Sequence, residues 1–117
     1  LGDLRNALTM ENWMLELRQN CELCDRDLPP HSTEARICTY ECTYCADCVE
    51  SRLHDVCPTC GGNFCPRPIR PKRAYRDIPK LGLHHQPASK ERKYSKFSAE
   101  EIDRFCSLFK DVAATER

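Results

Sequence analysis

Eight of the ten cysteines fall into one array: Cys21-x2-Cys24-x13-Cys38-x3-Cys42-x2-Cys45-x2-Cys48-x8-Cys57-x2-Cys60. No other feature restricts the fold as much. Between Cys21 and Phe64 the sizeable apolar residues are only Leu23, Leu28, Ile37, Tyr40, Tyr44, Val49, Leu53, Val56 and Phe64. A segment of that length buries too little surface to fold by hydrophobic collapse alone and needs a metal or disulfides. The sequence begins at Leu1 without a basic region followed by an apolar run, and no stretch approaches a membrane span. The expectation is therefore a cytoplasmic protein with reduced thiols and no membrane partner, in which metal is favoured over disulfides.

Each C-x2-C pair forms a tight knuckle that presents two sulfurs to one ion, and two knuckles close a tetrahedral four-cysteine site. Eight thiols make two such sites, so two Zn2+ per chain are expected on Cys21, Cys24, Cys38, Cys42, Cys45, Cys48, Cys57 and Cys60. "CPTCGG" (residues 57–62) is a strong knuckle signal by itself: Pro58 presets φ, and the glycines let backbone N–H groups approach sulfur. Cys65 and Cys106 lie outside the array and are expected to be free. Iron–sulfur ligation is the competing metal reading. Cys42-x2-Cys45-x2-Cys48 followed by Cys57-Pro58 resembles ferredoxin spacing, although a gap of eight residues stands where three are usual.

Two pairings are open. Sequential pairing unites Cys21, Cys24, Cys38 and Cys42, then Cys45, Cys48, Cys57 and Cys60, as two successive zinc-ribbon-like folds. Interleaved pairing unites Cys21, Cys24, Cys45 and Cys48, then Cys38, Cys42, Cys57 and Cys60. The ligand order, the Cys-Pro-x-Cys close and Tyr44 before the fifth ligand resemble an all-cysteine RING-type cross-brace. That resemblance implies interleaving and a RING-like or treble-clef domain with short strands and a short helix. It also brings a ubiquitin-ligase reading, which the sequence weakens. Leu23 fits, but the groove tryptophan between the sixth and seventh ligands is missing and Gly61 follows the eighth.

A longer resemblance runs from Met14 to Arg92. "MLELRQNCELCDRDLPP", "ICTYECTYCADC", "CPTCGG" and "HQPASKER" are similar to a family of short bacterial cysteine-rich proteins of unknown function. It implies a small zinc-binding protein of a bacterial cytosol and assigns no activity.

Around the 21–65 zinc module lie three other stretches. Residues 1–20 carry Leu4, Leu8, Met10, Trp13, Met14 and Leu17 at partly helical intervals, while "MLELR" alternates like a strand, so this segment reads as helix or strand. Residues 66–97 form a basic, Pro-containing linker, expected to run extended or disordered. Residues 98–114 read as an amphipathic helix opened by the capping box Ser98–Glu101, with Ile102, Phe105, Cys106, Phe109 and Val112 on one face. Its expected seat is the chain's own module; a partner or homodimer contact is the alternative.

Net charge is zero, but it is unevenly spread. Residues 1–65 hold 5 Lys and Arg against 11 Asp and Glu, whereas residues 66–96 hold 10 against 2. This polarity suggests nucleic-acid binding through Arg67, Arg70, Lys72, Arg73 and Arg76 with Tyr75 among them. The arm folding back onto the acidic half is the competing outcome. Fully thiolate-bound zinc has no exchangeable position, and no nucleophile–base pair or phosphate loop is evident, so the chain is not expected to be an enzyme. A non-catalytic binding module is the expected function, with a protein–protein adaptor using the RING-like surface and terminal helix as the alternative.

Overall fold

The computed structural model describes residues 14–117. The helical spacing of Leu4, Leu8, Met10 and Trp13 lies outside the described residues. From Met14 to Asn20 the chain runs extended and closes with an isolated antiparallel bridge between Asn20 and Asp27.

Regular structure is short and clustered around the cysteines. Strand β1 (Ala35–Ile37) lies at the centre of a three-stranded antiparallel sheet, between β2 (Thr43–Cys45) and β3 (Cys65–Pro66). Arg36 faces Tyr44 on one side and Pro66 on the other. Ala35 and Ile37 are buried, as is every residue of β2. Pro66 is tolerated because it sits on an edge strand, where no ladder donor is required of it.

Leaving β2, the chain makes one helical turn, α1 (Ala46–Cys48), continued by a π-helical turn at Val49–Leu53. The Cys45 thiol caps it, its Sγ accepting from the Cys48 N–H at 3.4 Å. His54, in the left-handed region at φ 52°, ends it.

Helix α2 (Ala99–Phe109) shows both halves of its capping box. Ser98 Oγ accepts from the Glu101 N–H, and Glu101 Oε1 accepts from the Ser98 N–H. The helix docks on its own module: Ile102 and Cys106 are fully buried, and Phe105 and Phe109 pack against the same core. It ends at Phe109, so Val112 falls in the turn beyond rather than on the helical stripe. Arg117 then fastens the terminus, its guanidinium donating to the carbonyls of Val112 and Gly61 at 2.9 Å.

The core is small. Leu28, Tyr44, Leu53, Val56 and Ile102 fill it together with Cys106 and six of the eight array cysteines, and the Tyr44 and Phe64 rings meet edge to face at 5.5 Å. Tyr40 stands outside it, exposed.

Residues 66–97 have almost no regular structure, yet the expected free linker is not what forms. The chain folds back as a strap along Leu17–Glu22. Ser89 N–H donates to Leu17 C=O and Ser95 N–H to Glu22 C=O. Between them the buried Asn20 amide acts as a substitute peptide group, its Nδ2 donating to Lys93 C=O at 2.8 Å and its Oδ1 accepting from Lys93 N–H at 3.0 Å. Arg92 adds ion pairs to Asp25 and Asp27, and Lys93 one to Glu16. The basic arm thus finds part of the acidic half of its own chain.

Replacing Asn20 by Ala leaves the Lys93 peptide without either partner in a largely dry site. Stability against urea should fall by about 2 kcal/mol, and the amide of Lys93 should lose much of its protection from hydrogen exchange.

Candidate metal centre

Two groups of sulfurs converge, and they are the interleaved ones. The Sγ atoms of Cys21, Cys24, Cys45 and Cys48 all lie within 4.8 Å of one another, as do those of Cys38, Cys57 and Cys60. Cys42 is buried beside this second group on the β1–β2 connection, but its sulfur does not lie within that distance of all three, so the second group holds three of the four expected cysteines. Sequential pairing is not what the fold brings together. No histidine or carboxylate joins either group among the described residues.

In the first group, the Cys21–Cys24 turn is closed by Asp25 N–H donating to Cys21 C=O, with Asp25 at φ 68°. Backbone N–H groups point at sulfur, from Cys24 to Cys21 Sγ at 3.5 Å and from Cys48 to Cys45 Sγ at 3.4 Å. The Cys24 and Cys45 sulfurs are 3.7 Å apart. A tetrahedral ion with metal–sulfur bonds of about 2.3 Å requires sulfur–sulfur edges of about 3.8 Å. The donor set and this spacing therefore fit a thiolate-bound ion of zinc's size.

The second group sits on two turns. Cys38 and Cys42 flank the β1–β2 connection, where Cys38 N–H donates to Cys42 C=O and Glu41 takes φ 67°. Cys57 and Cys60 form the other knuckle, with Gly61 at φ 81° and its N–H donating to Cys57 C=O at 2.8 Å. Tyr40 N–H approaches Cys38 Sγ and Gly62 N–H approaches Cys60 Sγ, each at 3.3 Å.

The electrostatics follow from crowding. Hydrogen bonds from Cys42 and Cys57 hold the Cys38 thiol down at about 2. The same contact with Cys38 pushes Cys42 up to about 11 and Cys57 strongly upward. One thiolate is thus solvated by neighbours that must remain protonated. A divalent cation removes that conflict by replacing the shared protons.

Glu22, between Cys21 and Leu23, is a functional residue that spacing arguments overlook. Its carboxylate is buried, accepts from the Thr43 N–H and pairs with Arg18, both at 2.6 Å, and so locks the first knuckle to β2. An acidic residue in an x2 gap carries no sequence signal of that role.

The basic candidates divide. Arg67 is 4% exposed and points inward, donating to the carbonyls of Arg18, Leu28 and Pro29. Arg70 donates to Gln86 C=O and Leu15 C=O. Both guanidiniums are committed to internal carbonyls, which removes them from the expected phosphate-binding set. Lys72, Arg73 and Arg76 are exposed.

The family model described as "Protein of unknown function (DUF1272)" matches residues 14–70. An uncharacterized protein of Rhizobium meliloti (strain 1021) is 56% identical over 66 residues, covering 56% of this chain and 79% of the relative. The chain belongs to this family. The matched segment of this chain holds all eight array cysteines and both knuckle turns, while α2 lies beyond it. No solved structure gives a significant match.

The two remaining cysteines differ sharply. Cys65 is exposed on edge strand β3, whereas Cys106 is fully buried, donates to Val56 C=O, and is pushed up to about 11 by burial. In protein purified with its metal, iodoacetamide should label Cys65 and spare Cys106, as read by peptide mass spectrometry.

Proposed function

We propose that this protein is a non-catalytic binding module built on two structural zinc ions in a RING-like cross-brace. The observation that carries the reading is the convergence of Cys21, Cys24, Cys45 and Cys48 at one point and of Cys38, Cys57 and Cys60 at another, with the Cys24–Cys45 sulfur edge at tetrahedral length. Cys21, Cys24, Cys45 and Cys48 would hold one ion, and Cys38, Cys42, Cys57 and Cys60 the other. Zinc would supply no chemistry beyond cross-linking and charge neutralisation, because four thiolates leave it no open position. Reduced thiols at this density suit a cytoplasmic setting.

What the scaffold displays is the rest of the basic arm. With Arg67 and Arg70 turned inward, Lys72, Arg73 and Arg76 remain as the candidates for contact with nucleic-acid phosphates. A second reading, a protein–protein adaptor, is favoured by a groove between the Cys57–Cys60 knuckle and α2. Pro58, Phe97, Phe105 and Leu108 line it, and Leu108 is 67% exposed.

Elemental analysis should give two zinc ions per chain and no iron; one ion, or iron with visible absorption, would overturn the metal assignment. Cys24→Ser should weaken the ion shared with Cys45 and Cys48 while cobalt bound at the other site keeps its thiolate charge-transfer band. A chelator strong enough to strip both ions should unfold residues 21–65 cooperatively, since structural zinc contributes on the order of 10 kcal/mol in small domains. Dispersed amide resonances surviving in the stripped protein would contradict that.

A further inference from the structure

Most of the arm's free chemistry is gathered on one loop, from Pro71 to Leu83. Its neck is closed by Leu83 N–H donating to Pro71 C=O at 2.8 Å. Just inside, Gly82 at φ +114° lies against the Arg73 backbone, where an added Cβ would meet carbonyl atoms at 2.9 Å. The returning chain is therefore stacked directly on the outgoing one. Gln86 braces the loop from below, its Nε2 donating to Lys80 C=O and its own carbonyl accepting from Arg70. This is a shaped projection, held at its base by the strap.

Its tip carries what a folded chain normally hides or pairs. Tyr75 is 79% exposed and Ile78 91% exposed. Lys72, Arg73, Arg76 and Lys80 are exposed, and among the described residues none of the four forms an ion pair. Asp77 is the only acidic residue of the loop. Elsewhere in the arm Arg67, Arg70, Arg92 and Lys93 are engaged, and Lys90 and Lys96 are the other exposed cations.

We propose that this loop binds single-stranded nucleic acid, an unpaired base stacking on Tyr75 while the flanking phosphates meet Lys72, Arg73 and Arg76. The inference rests on the nucleic-acid reading above and narrows it to a substrate class. A bare tyrosine between cations offers a flat face and a charged border, the combination that holds single strands without regard to sequence. In a duplex the base faces are hidden in the stack, and among the described residues no helix is free to enter a groove, α2 being docked on the core. An anionic membrane is the other surface such a loop could meet. Ile78 and the half-exposed Leu81 give it little aliphatic area to insert, and Asp77 beside Ile78 opposes burial.

The test uses the full-length, zinc-loaded protein and a short fluorescent oligothymidylate, with a blunt duplex of equal length as the comparison. The single strand should bind more tightly. Tyr75→Ala should weaken that binding about tenfold, and Tyr75→Phe should restore it. Arg73→Ala or Arg76→Ala should flatten the log–log salt slope by about 0.7 for each cation removed. All four variants should keep two zinc ions, since the side chains touch neither metal site. Equal binding to duplex and an unchanged Tyr75→Ala would overturn the stacking inference while leaving nucleic-acid binding in place. If neither oligonucleotide binds at low salt, both readings fall, and binding to vesicles containing phosphatidylserine would then assign the loop to membranes.

Discussion

Everything else in this protein depends on one requirement: sulfurs far apart in sequence must meet at two separate points. Cys21 and Cys24 reach Cys45 and Cys48 across the β1–β2 hairpin, and Cys38 on that same hairpin reaches Cys57 and Cys60. The hairpin is consequently shared between the two groups, and neither can close without positioning the other. Strands of two or three residues persist here because their ends are fixed by thiols, not because their ladders are long. The apolar core is threaded through the same geometry, with Tyr44 lying between Thr43 and Cys45 at the centre.

The second organising interaction is the use of arginine as a carbonyl collector. Loops that cross a small module leave backbone acceptors unsatisfied, and one planar guanidinium can serve several. Arg67 gathers three carbonyls from two segments, Arg70 two more, and Arg117 fastens the terminus over the second knuckle. These bonds, with the Asn20 clamp, turn a polar and proline-rich tail into part of the fold. They also explain how opposite charges in the two halves of the chain are partly reconciled within one molecule.

The cysteine spacing and the capping box were legible because each acts locally. A C-x2-C turn or an S-x-x-E start is determined by neighbours within a few residues, and both structures form where those residues stand. Arg67 and Arg73 could not be told apart, because each is a basic residue in a polar, proline-containing context. What separates them is the position of Leu28 and Pro29, 39 and 38 residues away, whose carbonyls only the folded chain presents. The end of α2 was misjudged for a similar reason. The apolar stripe continues to Val112, but the helix ends at Phe109 and the chain turns back until Arg117 reaches the carbonyls of Gly61 and Asp55. The linker's polarity likewise pointed to an extended or disordered segment, since composition does not reveal that a buried Asn20 amide is waiting for one of its peptide groups.

The turns that carry the cysteines have a mechanical consequence. Asp25, Glu41, His54 and Asp55 all adopt positive φ without being glycine, and each lies next to or just before an array cysteine. Such backbone costs roughly 1 kcal/mol or more per residue. Three of the four retain side-chain duties that glycine could not perform: Asp25 holds Arg92, Glu41 accepts from the Glu16 N–H, and Asp55 accepts from the Phe64 N–H. These turns therefore hold backbone strain that the contacts around them must offset. Where those contacts are lost, each turn gains by relaxing toward ordinary backbone, which carries the nearby cysteine out of place.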